Sequence, residues 1–591
     1  MPCVADAIED NLETADDDWA KCYLQAHTVP NAEMWVAVDE AARDDDVEEL
    51  RNHNAYFLSF LELSDTHLGL AKPMQLIDLQ HHLRRQSQKK RENVVVIFVH
   101  GWRRSAAIGD LNVQNFRRLL AYSRSFLNTR CVVERRYCDA ALTGIYIGWR
   151  GRSIREPAWT DKDHAGNSMM TALSGAYTGL VSPSFLSRKS RSDRLGQGEN
   201  SPIEQALRGV EQAMFRETTN RSTRLNDKML IVGHSLGGNI LASFLGPLYA
   251  KQIREKCAEL FVDENPRNCK NIKIDSEIGD LVVLINPATE AAKWTQIQQT
   301  ERDVARVPEN YLRQCSPKHV PEDDPCLDPD VQDGVKAWRN LYEGTQLPVF
   351  LSMTSTDGFI NYDEQGNKNL FDRVTAIAFR VWGYLSNGPG LEHQIAIGHY
   401  QPEYSTGTSV VGPALGVSHE FVIRSGVCKN GEECRPGTEK GREGTRYVHA
   451  GVPALSWCAP ANGELYRKRF QRNKRVFDIN WEWNEQISLK RLDVLRDEIS
   501  GDDYWNHAQV NIRYGLKKES HNGYENLRSV SPPTSPFWNM RSPSSAIEGH
   551  GGFYSYPLWC RLHQMFLDPI TTPPEDLLNP SPLARRRSSF N

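Results

Sequence analysis

The stretch M-L-I-V-G-H-S-L-G-G-N-I-L-A-S-F-L-G-P-L-Y, residues 229–249, decides the fold of this chain. Its first four residues, Met229–Val232, are an apolar run typical of a strand that is buried on both faces. The residues after the glycines are compatible with a helix, so the pattern predicts a strand, a sharp turn and a helix. Gly233 and Gly237 flank the turn where strand and helix must pass close together. The pattern therefore predicts that Ser235 is a nucleophile at the tip of the turn.

Comparable apolar runs recur on both sides of this stretch, separated by segments with the length and amphipathic pattern of helices. The further predicted strands are Val94–Val99, Gly144–Trp149, Leu281–Ile285 and Pro348–Met353. Strands that alternate with helices predict an α/β fold with a doubly wound, mostly parallel sheet. We expect helices on both faces of this sheet and long insertions between its elements.

Attack by Ser235 on a carbonyl would create an oxyanion, which needs fixed hydrogen-bond donors. The backbone amide of Leu236 is one candidate, because unpaired amides and the helix dipole favour an anion at a helix start. The amide of Trp102 is the second, since Gly101 lets the loop after an upstream strand fold tightly. His100 lies in the same loop and is interpreted as a structural residue, because the base in this arrangement follows the last strand.

The acid that orients the base should follow a strand downstream of Ser235. Asp357 follows the predicted strand Pro348–Met353 and so lies at a carboxyl end, where active sites of open α/β sheets gather. Asp363 lies farther from this strand, and Asp280 precedes a strand instead of following one. The sequence therefore favours Asp357 as the acid.

The base is predicted from the end of the fold. A last strand is predicted over Phe537–Met540, and a closing helix over Tyr554–Phe566. His550 lies in the glycine-rich loop between them, which is the expected place for the catalytic histidine. His399 is the alternative, although it lies inside a long stretch interpreted as an insertion.

The chain divides into five predicted segments around this core. They are an acidic lead-in (1–54), the first part of the core (55–385), an insertion or cap (386–531), the last strand with the histidine loop and closing helix (532–570), and a disordered tail (571–591).

Composition narrows the classes of partner. Among 591 residues, 70 Lys and Arg oppose 75 Asp and Glu, so the net charge is -5 and no basic face indicates nucleic-acid binding. No apolar run approaches the roughly 18 residues that span a bilayer, and residues 1–20 lack the pattern of a signal peptide. We expect a small, uncharged or weakly charged substrate, no transmembrane segment and a cytoplasmic location. The spacing of Cys and His predicts neither a metal nor another cofactor.

The twelve cysteines bear on the compartment. Close pairs in polar stretches would suit disulfides in an oxidising compartment. These pairs are Cys257/Cys269, Cys315/Cys326 and Cys428/Cys434. Because no export signal accompanies them, we expect reduced thiols.

Several motifs together carry a family resemblance. They are V-I-F-V-H-G-W (96–102), Y-I-G-W-R-G (146–151), I-V-G-H-S-L-G-G (231–238), L-I-N-P-A (284–288) and T-S-T-D (354–357). With them the chain resembles the bacterial and fungal α/β-hydrolases of lipase-like or esterase-like type, over most of residues 90–370. The resemblance implies a hydrolase fold, with Ser235 as nucleophile, Asp357 as acid and His550 as base, and it implies ester or related acyl chemistry.

The favoured function is therefore a serine-dependent carboxylic ester hydrolase that forms an acyl-enzyme. Two alternatives stay open. One is an inactive protein that keeps the hydrolase fold for binding or scaffolding, because a fold does not guarantee activity. The other is an acyltransferase, thioesterase or amidase that uses the same site.

Overall fold

A mostly parallel β-sheet forms the centre of the structure, which is a computed structural model. The described residues are 22–25, 32–36, 55–64, 69–89, 91–102, 104–106, 110, 112–113, 115–117, 119–120, 123–124, 126–127, 137–149, 185–214, 227–260, 269–307, 334, 336–338, 340–343, 346–355, 385, 396–397, 418–424, 509–514, 517–520, 523–526, 531–532, 534–542, 547, 550–551, 553 and 556–567.

Fourteen strands are present in the described part of the chain. They are β1 (Cys22–Gln25), β2 (Ala32–Val36), β3 (Ala55–Ser64), β4 (Gly69–Leu70), β5 (Asn93–Val99), β6 (Ala141–Gly148), β7 (Lys228–His234), β8 (Leu281–Ile285), β9 (Phe350–Ser355), β10 (His419–Arg424), β11 (Gln509–Tyr514), β12 (Lys517–Ser520), β13 (Gly523–Asn526) and β14 (Phe537–Ser542). The strand order of the large sheet is β1-β2-β3-β6-β5-β7-β8-β9-β14-β10-β11, with β4 beside β3, while β12 and β13 pair with each other.

Neighbouring strands from β3 to β10 in this order are all parallel. The predicted strands appear as β5 to β9 and the predicted last strand as β14, with bounds that differ by up to three residues. The expected α/β fold with a mostly parallel sheet is thus confirmed.

Helices cover both faces of this sheet. They are α1 (Pro73–Gln88), α2 (Pro202–Met214), α3 (Leu236–Leu260), α4 (Ala291–Ala305) and α5 (Tyr556–Leu567), together with helical residues 185–196 and others between 112 and 127. Within the described ranges, none of the helices combines the length and the apolar character that crossing a bilayer requires.

Strand β5 shows how the sheet separates two cores. Val96 and Phe98 pack with α5 and with the helical residues between 112 and 127. Val95 and Ile97 pack on the other face with α1 to α4. Because successive side chains of a strand point to opposite faces, a strand between two helical layers must be apolar at every position.

Two segments outside the predicted core extend the sheet at its edges. Strands β1 and β2 lie within the acidic lead-in and add an antiparallel hairpin to β3. Strands β10 and β11 lie within residues 386–531, where β10 pairs with β14 and β11 pairs with β10. The predicted disordered tail, residues 571–591, lies outside the described residues.

The strand order creates a topological switch point between β5 and β7. The chain leaves β5 towards β6 on one side, whereas it leaves β7 towards β8 on the other. The connections after these neighbouring strands therefore diverge and leave a crevice at their carboxyl ends, which is where ligands bind in open α/β sheets. The loop after β5 begins with His100, and the turn after β7 contains Ser235.

A disulfide joins the end of α3 to the segment that leads into β8. Its cysteines, Cys257 and Cys269, are buried and have Cα atoms 5.4 Å apart. Cys138 is also disulfide-bonded. The expectation of reduced thiols is therefore wrong for these three residues. Disulfides persist mainly in oxidising compartments, so they weigh against the cytoplasmic location, which stays a prediction.

A buried carboxyl group joins α4 to the segment before β14. The Oε1 atom of Glu301 accepts hydrogen bonds from the hydroxyls of Tyr342 (2.8 Å) and Ser535 (2.7 Å). Among the described residues no donor reaches Oε2. Burial, opposed only in part by these hydroxyls, raises the pKa of Glu301 from 4.5 to about 7.

Replacing Glu301 with Gln should remove a loss of stability at high pH. Between the ordinary pKa and about 7 the folded protein keeps a proton that the unfolded chain releases, so stability falls as pH rises through this window. Over the whole window the free energy of unfolding falls by about 3 kcal/mol. Gln keeps the acceptor without ionising, so Glu301→Gln should flatten this slope and be the more stable protein above pH 7. Urea unfolding at a series of pH values from 5 to 8 measures both effects.

Glu259, an exposed residue of α3, provides the control, because Glu259→Gln removes a surface carboxylate and leaves the buried carboxyl of Glu301 in place. Parallel stability curves for Glu301→Gln and the wild type would contradict the assignment.

Removing the disulfide should destabilise the protein through the unfolded state. The bond closes a loop with a sequence separation of 12 residues. Closing a loop of this size lowers the conformational entropy of the unfolded chain, which stabilises the folded state by about 3 kcal/mol. The double variant Cys257→Ala/Cys269→Ala should lose this amount in denaturant unfolding. Free thiols at both positions in a peptide map of the unreduced wild type would refute the bond.

Candidate active site

Ser235 occupies the turn between β7 and α3 in a conformation that non-glycine residues rarely adopt. Its φ is +55°, in the left-handed region. Its N–H donates to the carbonyl of Ile285 (3.1 Å), and its carbonyl accepts the N–H groups of Asn239 (3.1 Å) and Ala288 (3.0 Å). Because such a conformation persists only where the surroundings enforce it, these hydrogen bonds determine where the side chain points.

Two glycines allow the backbones around Ser235 to touch. A Cβ atom on Gly237 would lie 2.1 Å from the carbonyl oxygen of Val99, at the end of β5. A Cβ atom on Gly101 would lie 2.7 Å from the Cβ atom of Ser235. The first turn of α3 and the loop after β5 therefore meet directly at the serine, in a space that admits no side chain.

His550 reaches Ser235 from the far end of the chain. Its Nε2 atom lies 3.0 Å from the Ser235 Oγ atom, which is hydrogen-bond distance. Ser235 is 6% exposed and His550 is partly exposed, so the pair lies just beneath the surface. The structure thus joins the two residues that the sequence favoured as nucleophile and base. The alternative base, His399, lies outside the described residues.

The favoured acid, Asp357, also lies outside the described residues, but the strand before it ends beside the histidine loop. Ser355 is the last residue of β9, and its Oγ atom donates to the carbonyl of Ile547 (2.6 Å). The chain therefore leaves β9 next to the segment that carries His550. By contrast, Asp280 accepts the N–H of Met229 (2.7 Å) at the amino end of β7, opposite Ser235. Asp280 does not belong to the site.

The two candidate oxyanion donors flank the serine. Leu236 is the first residue of α3, so its N–H has no carbonyl one turn earlier within the helix and lies at the positive end of the helix dipole. Trp102 follows Gly101, the residue that touches Ser235. The Trp102 ring packs edge-on against Phe185, with centroids 5.2 Å apart.

His100 has the structural role that the sequence predicted. Its Nδ1–H donates to the carbonyl of Gly101 (2.7 Å), and its Nε2 accepts the N–H of Trp149 (3.0 Å). The indole N–H of Trp149 donates in turn to the His100 carbonyl (2.8 Å). Burial lowers the pKa of His100 to about 4, so the ring is neutral near pH 7. The ring holds the loop after β5 against the end of β6.

Two residues beside the site were missed by the sequence analysis. The Nε2–H of His234 donates to the His550 carbonyl (2.9 Å), and the side-chain amide of Asn286 donates to the same oxygen (2.8 Å). Burial, reinforced by His550, lowers the pKa of His234 well below its ordinary value. Both residues lie in quoted motifs, but their shared acceptor is more than 260 positions away in the chain.

A buried ionic cluster supports the base of α3. The Nζ atom of Lys189 contacts Glu290 (2.8 Å) and Asp193 (3.1 Å), and Lys293 also binds Asp193. The amide of Asn239 donates to Asp193 (2.8 Å). Although burial alone would raise it, Lys189 and Lys293 hold the pKa of Asp193 at about 2. The cluster ties helical residues 185–196 to the helix that follows Ser235.

A second serine–histidine pair lies in the core. Ser123 Oγ is 2.7 Å from His563 Nε2 and donates to the carbonyl of Leu119 (2.8 Å). Both residues of the pair are buried, with exposed fractions of 0% and 2%. With its proton committed to a backbone carbonyl, Ser123 serves to pack α5 against its neighbours.

Among the residues that the structure describes, no three His, Cys, Asp or Glu side chains are grouped to hold a metal ion. Comparisons with protein-family profiles, curated proteins and solved structures gave no match for this chain.

Replacing Gly237 with Ala should break the contact between α3 and β5. The added Cβ would clash with the Val99 carbonyl, so the helix must move away from the strand. We expect a loss of about 3 kcal/mol in the free energy of unfolding, measured by denaturant titration. Gly246→Ala in the same helix is the control, since its Cβ would meet only the Lys293 carbonyl at 3.1 Å. Equal effects of the two variants would contradict the close approach.

Proposed function

We propose that this protein is a serine hydrolase of the α/β-hydrolase type that cleaves carboxylic esters through an acyl-enzyme. The observation that carries the proposal is the 3.0 Å separation between His550 Nε2 and Ser235 Oγ. A nucleophile needs an adjacent base to be active near neutral pH, and this pair has the required reach.

The setting of the pair supports the proposal beyond the distance itself. The serine lies at a strained strand–turn–helix junction, and that junction is at the topological switch point of the sheet. The order along the chain, nucleophile first and histidine last, is also that of α/β-hydrolases. The buried pair Ser123 and His563 has a comparable distance and the same chain order, but Ser123 lies within a helix and not at such a junction.

The reaction follows from this arrangement. His550 takes the hydroxyl proton as Ser235 Oγ attacks the carbonyl carbon, and the carbonyl π electrons move onto its oxygen. The amides of Leu236 and Trp102 stabilise that oxyanion. Collapse of the intermediate breaks the bond to the alcohol oxygen, which receives the proton from His550. Water, activated by the same histidine, then releases the carboxylic acid and restores Ser235.

Asp357 is the proposed partner of His550 in this cycle. A carboxylate at the other ring nitrogen would fix the ring orientation and stabilise its protonated form. The support is positional, because Ser355 at the end of β9 already contacts the segment that carries His550.

The proposed substrate is a small ester or acyl compound. The near balance of 70 basic and 75 acidic residues gives no reason to expect a polyanionic substrate. Esters of increasing acyl length, with thioester and amide analogues, would define the leaving group and the acyl pocket.

The test is covalent labelling by a fluorophosphonate probe, which reacts with activated serines. We expect the wild type to be labelled, Ser235→Ala to be unlabelled, and His550→Ala to react at least 1,000 times more slowly, in line with roughly 10³-fold or larger losses for triad members.

Ser123→Ala provides the matched control, because it removes the serine of the other pair and should leave labelling intact. An unlabelled but folded wild type would refute the proposed hydrolase and favour a binding or scaffold role for the fold.

A further inference from the structure

The carbonyl oxygen of His550 accepts hydrogen bonds from two side chains, one at the end of β7 and one just after β8. His234 precedes Ser235 at the end of β7, and Asn286 directly follows β8. Their donor atoms lie 2.9 and 2.8 Å from this oxygen. The backbone of the proposed base is thus held directly from the strand that carries the proposed nucleophile and from its neighbour.

Asn286 is itself held at three points. Its backbone N–H donates to the carbonyl of Met353 (2.8 Å), and its Oδ1 accepts the N–H of Ser355 (2.8 Å). Its φ is +43°, a left-handed conformation that asparagine tolerates better than most residues. With Oδ1 bound to β9, the amide NH₂ points at the His550 carbonyl. This side chain therefore links β8, β9 and the histidine loop.

His234 is a neutral donor. Since a carbonyl accepts only a hydrogen, its Nε2 carries the proton, and among the described residues no donor or acceptor reaches Nδ1. Its ring packs on Phe553, with centroids 4.3 Å apart, and lies 4.9 Å from the His550 ring. A neutral ring at this distance orients His550 without repelling the positive charge that His550 gains during proton transfer.

A third side chain holds the same loop at a second carbonyl. The Ser355 hydroxyl donates to the Ile547 carbonyl, three residues before His550. The histidine loop is glycine-rich and would otherwise have considerable conformational freedom. Three side-chain donors restrict its backbone at two carbonyls.

We propose that His234 and Asn286 are positioning residues, which set the distance between His550 Nε2 and Ser235 Oγ by binding the His550 carbonyl. This inference rests on the proposed function. Proton transfer requires close alignment of donor and acceptor, and small displacements of a catalytic group reduce rates strongly. Both side chains donate to the backbone carbonyl of the base, so both act through that backbone.

Paired variants separate the hydrogen bond from packing. His234→Phe keeps a ring against Phe553 but loses the donor, whereas His234→Gln loses the ring and keeps an N–H at similar reach. Asn286→Asp keeps the shape, the tolerance for positive φ and the Oδ1 acceptor, but removes the donor. Asn93→Ala is the structural control, because it removes a buried amide that donates to Ser87 (2.8 Å) at the amino end of β5.

The readouts are the rate constant for fluorophosphonate labelling, the kcat and KM for an ester, and the melting temperature. We expect His234→Phe and Asn286→Asp to react roughly tenfold more slowly, with a matching fall in kcat and little change in KM. His234→Gln should restore most of the rate. Asn93→Ala should melt earlier but label at the wild-type rate.

Several results would overturn the inference. A labelled wild type with both donor-deficient variants within about twofold of its rate refutes positioning and leaves the hydrolase intact. A slow His234→Gln variant beside a His234→Phe variant that labels at the wild-type rate assigns the effect to packing of the ring. If Asn286→Asp does not fold, the two His234 variants decide. A wild type that is not labelled at Ser235 refutes the proposed function and this inference together.

Discussion

The direct contact between the first turn of α3 and the end of β5 is the constraint on which the rest of this structure depends. It brings the Gly237 backbone against the Val99 carbonyl and leaves Ser235 with a φ of +55°. The contact requires that β5 and β7 be neighbours, which in turn requires the crossover that places β6 on the far side of β5. The Ser235 side chain therefore lies at the start of α3, where the first amides have no carbonyl partner within the helix.

Burial divides the histidines around this turn into two kinds. His100 and His234 are buried, and desolvation lowers the pKa of each, so both are neutral near pH 7. His550 is partly exposed and within reach of the serine hydroxyl. In the proposed reaction, the transfer of the serine proton therefore falls to His550. Burial also explains the ionic cluster around Lys189. Its charges are buried, and each is paired with an opposite charge within a few ångströms.

The sequence predicted most of the central sheet because its signals are local. Leu281–Ile285 was predicted to the residue, and the last strand and closing helix within two residues. The positions of β10 and β11 in the sheet could not be predicted, since β10 pairs with β14 and β11 with β10, and these strands are far apart in the chain. The contacts of His234 and Asn286 with the histidine loop could not be predicted for the same reason. Charged residues such as Lys189 and Glu290 look like surface residues until their partners are known. The predicted acid, Asp357, stays a prediction.

The hairpin of β1 and β2 has a consequence for the handling of this protein. Without it, β3 would be the outermost strand of the sheet, with ten residues and a buried, largely apolar surface. Long apolar edge strands recruit other chains, whereas short ones are poor templates, and β1 has four residues. A recombinant fragment that begins at residue 55 would expose that edge and self-associate. Fragments for crystallisation should therefore retain residues 22–36, even though Ser235 lies several strands away.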